Sequence, residues 1–133
     1  MPITLLIVDD NTTILETWKY IFAMDDRFQV IATCSNGEEG VEQVQRHRPD
    51  IVIMDNNMPG ISGIEATAMI RKSVPETKVL GFSLHNEPVY EEKFLAAGAA
   101  GYIEKTSSIE KVTQTLLRIH YSQGRSQSTS EMR

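Results

Sequence analysis

Three aspartates at two places in the chain could hold a hard cation between them. Asp9 and Asp10 close the apolar run Ile3–Val8, and Asp55 closes Ile51–Met54 just ahead of Asn56-Asn57-Met58-Pro59-Gly60. If those runs are neighbouring parallel strands, all three carboxylates meet at one edge. Such a cluster repels itself and takes up protons unless a cation sits within it. Oxygen-only ligands with room for water suit Mg²⁺. Any single aspartate could equally cap a helix or open a turn, but three converging acids are poorly served by that account. Ser83 and Lys105 end the fourth and fifth apolar runs. A serine there is commonly a turn residue and a lysine a solvated one. Placed beside carboxylates and a divalent metal, however, a hydroxyl donor and a compact cation suit a phosphoryl group, whose equatorial oxygens must be neutralised during transfer.

Positioning these residues requires a sheet. The runs Ile3–Val8, Phe28–Ala32, Ile51–Met54, Val79–Phe82 and Ala100–Ile103 mostly lack polar alternation, the pattern of strands covered on both faces. Helical stripes lie between and after them: Ile14, Leu15, Trp18, Ile21 and Phe22; then Val89, Tyr90, Phe94 and Leu95; then Ile109, Val112, Leu116 and Ile119. The pairs Ser35/Glu38, Ser62/Glu65 and Ser107/Glu110 have capping-box spacing, and Gly98 suits a left-handed helix terminus. Strict β-α alternation predicts an α/β domain of three layers, α/β/α. Right-handed crossovers make it doubly wound, with ligands bound beyond the strand C-termini.

The chain has 133 residues, 41% hydrophobic and 23% charged, with a net charge of −5. That fits one globular domain and excludes collagenous, coiled-coil and wholly disordered chains. The acidic balance argues against binding nucleic acid or an anionic membrane by bulk charge. No run approaches the roughly 20 apolar residues of a membrane span, and Ile3–Val8 lacks the marks of a signal peptide, so a cytoplasmic location is expected. Cys34 is the only cysteine, which excludes an intrachain disulfide; a small buried core residue is expected there. Trp18 is expected to pack the first helix onto the sheet. The domain is expected over 1–121, with 122–133 a polar tail or the start of a linker.

Val8–Asp10 (VDD), Met54–Gly63 (MDNNMPGISG), Phe82–His85 (FSLH) and Gly101–Lys105 (GYIEK) together resemble the receiver domain of two-component response regulators. The stretch Ser83–Val112 is most similar to the subfamily carrying a LuxR-type helix-turn-helix output. The resemblance implies a flavodoxin-like receiver fold, a five-stranded parallel sheet in order 2-1-3-4-5. It implies that Asp55 is the phosphoacceptor, taking a phosphoryl group from a sensor histidine kinase. Asp10 and Asp55 would ligate Mg²⁺, Asp9 would act through water, and the Asn57 backbone carbonyl would complete the protein ligands. Lys105 and Ser83 would contact the phosphoryl group, and Ser83 and Tyr102 would form the switch. Gly63 and Pro59 would shape the loop after the acceptor, and Asn57 and His85 would tune dephosphorylation. The result is a signalling phosphoacceptor rather than an enzyme, controlling transcription through a further domain or partner, with a homodimer left open.

Two features depart from the commonest receiver pattern. Thr106 follows the lysine where many relatives have proline after a cis bond, leaving that isomer open. Leu84 is larger than the residue usual there and is expected to narrow access to Asp55. Two other classes share the layout. A haloacid-dehalogenase-type phosphatase would want Asp where Asn57 stands, and a cap domain. A flavodoxin-like cofactor carrier would want a Ser/Thr/Gly-rich first loop in place of Asp9-Asp10-Asn11.

Overall fold

Strands buried on both faces need helices on both faces, and alternation along the chain supplies them. The computed structural model describes residues 1–84 and 88–131, with side chains to Ser122. The elements are β1 (Ile3–Val8), α1 (Thr12–Ala23), β2 (Phe28–Cys34), α2 (Gly37–His47), β3 (Ile51–Met54), α3 (Gly63–Ser73), β4 (Lys78–Ser83), α4 (Pro88–Ala96), β5 (Gly101–Glu104) and α5 (Ile109–Glu131). The sheet order is β2-β1-β3-β4-β5 with every pairing parallel, the three-layer arrangement expected. Helix α5 continues through most of the stretch expected as a polar tail or linker. Among the described residues, no helix is long and apolar enough to cross a membrane.

Strand alternation splits the core in two. On one face Ile7, Ile53, Phe82 and Ile103 meet Leu15, Trp18 and Phe22 of α1 and Val112, Leu116 and Ile119 of α5. On the other, Leu6, Val8, Val52 and Met54 meet Val44 of α2, Ile70 of α3 and Phe94 of α4. Trp18 stands edge-on to Phe82 with ring centroids 5.7 Å apart, fastening α1 to the sheet. Cys34 is buried in the second core, which pushes its thiol up to about 12.

The stripe expected on α4 forms only in part. Phe94 is fully buried, but Val89 and Leu95 are 42% and 45% exposed. This short helix seats one fully buried side chain on the sheet, the Phe94 ring, which lies over Gly81 of β4; a Cβ there would come within 2.8 Å of it. One buried aromatic contributes roughly 1.5–3 kcal/mol, so α4 is held less firmly than α1, which buries three large side chains. Ile109 is likewise 52% exposed, leaving the rest of the α5 stripe to pack.

One capping box stands where the spacing put it, between Ser62 and Glu65. The second is shifted by one residue. Asn36 caps α2, accepting from the Glu39 N–H at 2.8 Å, while Glu39 accepts from the Ser35 N–H at 3.0 Å; Asn caps as well as Ser. At α5 the cap is Ser108, accepting from the Lys111 N–H at 3.0 Å, and a lysine cannot reciprocate. Gly98 has φ +108 and ends α4. Its N–H donates to the Leu95 carbonyl, and the Ala99 N–H donates to the Phe94 carbonyl, which is the Schellman pattern.

Candidate functional site

Strand register assembles the acids. Val8 pairs with Met54, and the Asp55 N–H donates to the Val8 carbonyl at 2.9 Å, so Asp9 and Asp55 leave adjacent strands at one level. Ser83 pairs with Glu104, and the Lys105 N–H donates to the Ser83 carbonyl at 2.8 Å. Asp9, Asp55 and Lys105 each stand two residues beyond a side chain of the α1/α5 core (Ile7, Ile53 and Ile103), so alternation turns all three the same way.

Lys105 Nζ lies 2.6 Å from Asp9 Oδ2 and 2.9 Å from Asp55 Oδ1, and none of the three side chains is more than 7% exposed. Burial raises the Asp55 carboxyl above its ordinary range; the Lys105 hydrogen bond opposes this and the Asp9 charge adds to it, leaving it raised. Burial alone would lower the Lys105 ammonium, but its bonds to Asp9 and Asp55 outweigh that, and its pKa lies above the ordinary value.

Asp10 is exposed, and oxygens of Asp9, Asp10 and Asp55 all lie within 4.8 Å of one another. One ammonium among three carboxylates leaves negative charge unbalanced, which a divalent cation would offset. Asp9 does not cap α1, a task that falls to Asn11. Asp9 Oδ1 accepts from the Asn11 N–H at 2.9 Å, and Oδ2, though beside Lys105, makes no hydrogen bond of regular geometry. A hard-oxygen donor set with one exposed member and more carboxylates than the one ammonium can neutralise fits Mg²⁺. The acids open into a cleft of about 130 Å³ lined by Asp10, Asn11, Ile14, Asp55, Asn57, Leu84 and Lys105. At about 30 Å³ per water, the cleft accommodates a hydrated ion or a phosphoryl group. Leu84, at its wall, is 66% exposed.

Ser83 is buried and its side chain is hydrogen-bonded to Tyr102, whose phenol is raised by burial above its ordinary pKa. The Tyr102 ring packs on Phe94 at 5.6 Å. Thus Ser83 and Tyr102 are brought together on the α4 side. Asn57 is exposed at the cleft, and the Lys105–Thr106 peptide is trans. His85 lies outside the described residues.

Two residues not singled out as site residues shape the loop after Asp55. Asn56, 7% exposed, accepts the Gly63 N–H on its carbonyl at 3.1 Å and the Ile64 N–H on Oδ1 at 3.3 Å. An Asn between a strand end and a helix start is a readable turn signal. Glu38 of α2 accepts from the Ile61 N–H at 3.3 Å; nothing near it in sequence announces that contact.

A 2-1-3-4-5 parallel sheet with acids after β1 and β3 and a lysine after β5 defines the receiver class of doubly wound domains. The chain belongs to the response regulator receiver domain family, whose model matches residues 5–117. It is 36% identical over 114 residues to the transcriptional regulatory protein DegU of Brevibacillus brevis, covering 86% of this chain and 48% of DegU. A LuxR-family two-component response regulator from Aurantimonas sp. SI85-9A1 superposes with TM-score 0.85 at 29% identity, over 90% of this chain and 86% of that one. A CheX–CheY–BeF3–Mg²⁺ complex from Borrelia burgdorferi matches with TM-score 0.84 and 29% identity, over 90% of each chain. The chain is a response regulator receiver domain of two-component systems, of the type found in LuxR-family regulators, and spans about half the length of the curated relatives it matches.

Proposed function

We propose that Asp55 accepts a phosphoryl group from the phosphohistidine of a sensor histidine kinase in a Mg²⁺-dependent reaction, and that the acyl phosphate resets the Ser83–Tyr102 pair. The observation that carries this reading is Lys105 bridging buried Asp9 and Asp55 beside exposed Asp10 in an open cleft. Asp10, Asp55 and the Asn57 carbonyl would hold the metal, with Asp9 acting through water. When bound, Mg²⁺ would neutralise phosphoryl oxygens as transfer proceeds.

An Asp55 carboxylate oxygen attacks phosphorus, the N–P bond breaks, and the imidazole leaves with its electron pair. Lys105 exchanges a carboxylate for a phosphoryl oxygen, keeping its charge neutralised. Donating to another phosphoryl oxygen reorients the Ser83 hydroxyl that now bonds to Tyr102. The ring then resettles against Phe94 and α4, the lightly held helix. A local charge change thereby acquires a distant readout. The chain acts as a signalling phosphoacceptor in the cytoplasm, and its only chemistry is its own phosphorylation and slow hydrolysis. Transcriptional output comes through a further domain or a partner.

Intact-mass measurement after incubation with acetyl phosphate and Mg²⁺ tests the assignment. The wild type should gain about 80 Da, one phosphoryl group, and Asp55→Asn nothing; equal labelling of both rejects Asp55. The same variant has a thermodynamic signature. A carboxyl raised by burial contributes stability that is complete below its ordinary pKa and lost as pH rises through its folded value. Without Mg²⁺, Asp55→Asn should therefore match or exceed the wild type at neutral pH, by on the order of 1 kcal/mol, and flatten the decline between acid and neutral pH. Chemical denaturation across that range checks it; a variant clearly less stable at neutral pH contradicts the assigned electrostatics.

Asn57, exposed at the cleft, and His85 are expected to set the lifetime of the phosphorylated form by steering the attacking water. Replacing either with Ala should change the hydrolysis rate several-fold, less than the roughly 10²–10⁴ that a positioned proton-transfer group contributes, because steering a water is a smaller effect. Phosphate-release kinetics identical to wild type for both would remove them from the mechanism.

A further inference from the structure

The loop that presents the Asn57 carbonyl runs from β3 to α3, and its two ends are secured locally. Near Asp55, Asn56 accepts the Gly63 and Ile64 N–H groups. At the α3 end, the Ser62–Glu65 box closes the first turn. The middle of the loop is gripped from another helix. Both Glu38 carboxylate oxygens lie over Gly60, where a Cβ would come within 2.7 and 2.8 Å of them, and Gly60 is at φ +84. Glu38 Oε2 also accepts the Ile61 N–H at 3.3 Å. The neighbouring Gly37 lets Ile61 in, its would-be Cβ lying 2.7 Å from Ile61 Cγ1. Asn36 sets the entry of α2 through its cap. The first turn of α2 is thus built as a socket for Gly60-Ile61, three to four residues beyond Asn57.

We propose that Glu38 is a positioning residue for metal binding: it holds the β3–α3 loop so that the Asn57 carbonyl faces the aspartate cluster. This rests on the reading above in which Asn57 is a metal ligand. Glu38 does not itself belong to the acid cluster of Asp9, Asp10 and Asp55. It acts through the loop backbone, and its acceptor oxygen rather than its charge is what the loop uses. Mg²⁺ tolerates little distortion of its octahedral shell, so an unpinned carbonyl should cost affinity even with every carboxylate in place.

The test titrates MgCl₂ alone into wild type, Glu38→Ala, Glu38→Gln and Asp10→Asn, following Trp18 fluorescence with calorimetry as a second readout. Glu38→Ala should raise the Mg²⁺ dissociation constant about three- to tenfold, the worth of one net hydrogen bond. Glu38→Gln, which keeps an acceptor and loses the charge, should stay within about twofold of wild type. Amide exchange at Ile61 should accelerate in Glu38→Ala and not in Glu38→Gln. Wild-type affinity in Glu38→Ala overturns the proposal. Equal weakening in both Glu38 variants also overturns it, because the effect would then be long-range charge. Asp10→Asn separates the two levels: if it leaves Mg²⁺ binding intact, the metal reading itself fails, whereas loss of binding in Asp10→Asn alone sinks only the role of Glu38.

Discussion

Replacing Lys105 with Met should cost this domain about 3–5 kcal/mol in Mg²⁺-free buffer at neutral pH, the scale on which removing one partner strands buried charge. The ammonium is the shared partner of Asp9 and Asp55, at 2.6 and 2.9 Å, and methionine fills its volume without supplying a charge. Two buried carboxylates would then face each other, with exposed Asp10 adding to the repulsion. Two releases are open to them, and both can be measured. Protonation is one: Asp55 is already raised and would rise further, so the deficit should shrink as pH falls. Mg²⁺ is the other: stabilisation by a ligand of the folded state grows as RT ln(1 + [L]/Kd), so the variant should gain more from millimolar Mg²⁺ than the wild type does. Phosphorylation by acetyl phosphate should fall by about 10²–10³, the usual effect of losing one preorganised charge donor. Lys105→Arg should recover stability better than rate, because a planar fork does not replace a compact ammonium in a small cleft. In the wild type, the raised Lys105 pKa means the pair is intact below the ordinary lysine value and is lost only as pH climbs through the raised one. Alkaline titration up to that range should therefore leave this contribution whole. A Lys105→Met protein as stable as the wild type at neutral pH without Mg²⁺ would show that the bridge contributes nothing.

Much of this site was legible because strand alternation, register and chemistry coincide. The apolar runs Ile3–Val8 and Ile51–Met54 are strands with those same bounds. Once they are neighbours, the residues one step beyond each must meet, so Asp9, Asp10 and Asp55 could be placed together from sequence. Lys105 followed by the same logic, whereas Ser83, next to Phe82 of the α1/α5 core, faces the α4 side and meets Tyr102 there. Some of what escaped depends on contacts between elements far apart in the chain. Glu38 meets Ile61 across 23 residues. The shifted cap at Asn36 depends on which of two competent neighbours the β2 exit favours. The stripe Val89–Leu95 was correctly spaced, yet how much of a nine-residue helix a sheet covers is decided by the sheet. There, Gly81 offers one seat, for Phe94. The continuation of α5 beyond 121 runs against composition, since Ser, Gln and Gly favour a linker, and local pattern gave no sign of it.

The largest backbone effect is expected at Gly63. A Cβ added there would sit 1.9 Å from the Asp55 carbonyl oxygen and 2.8 and 2.9 Å from the Asp55 carbonyl carbon and Asn56 Cα. All three are main-chain atoms, so no rotamer change relieves the clash, and the first turn of α3 must retreat from the β3 exit. It cannot retreat freely. The Gly63 N–H donates to the Asn56 carbonyl at 3.1 Å, the Thr67 hydroxyl donates to the Gly63 carbonyl at 2.8 Å, and Ala66 and Ile70 of the same helix are fully buried. Overpacking of about 1–3 kcal/mol plus a lost hydrogen bond of about 1 kcal/mol should remove a large part of a stability that is typically 5–15 kcal/mol. Asp55 would move as well, because its own carbonyl is the atom struck, and a displacement of about 1 Å at a reacting group costs on the order of 10²-fold in rate. Gly101→Ala is the contrast, since its Cβ would meet only side-chain ends, Ile119 Cδ1 at 3.3 Å and Leu80 Cδ1 at 3.4 Å; it should change stability by less than about 1 kcal/mol. Denaturation midpoints and acetyl phosphate labelling rates for the two variants should diverge accordingly. If Gly63→Ala folds and labels like Gly101→Ala, the helix does not press on the acceptor's backbone, and the tight β3–α3 junction cannot be what aims Asp55 into the cleft.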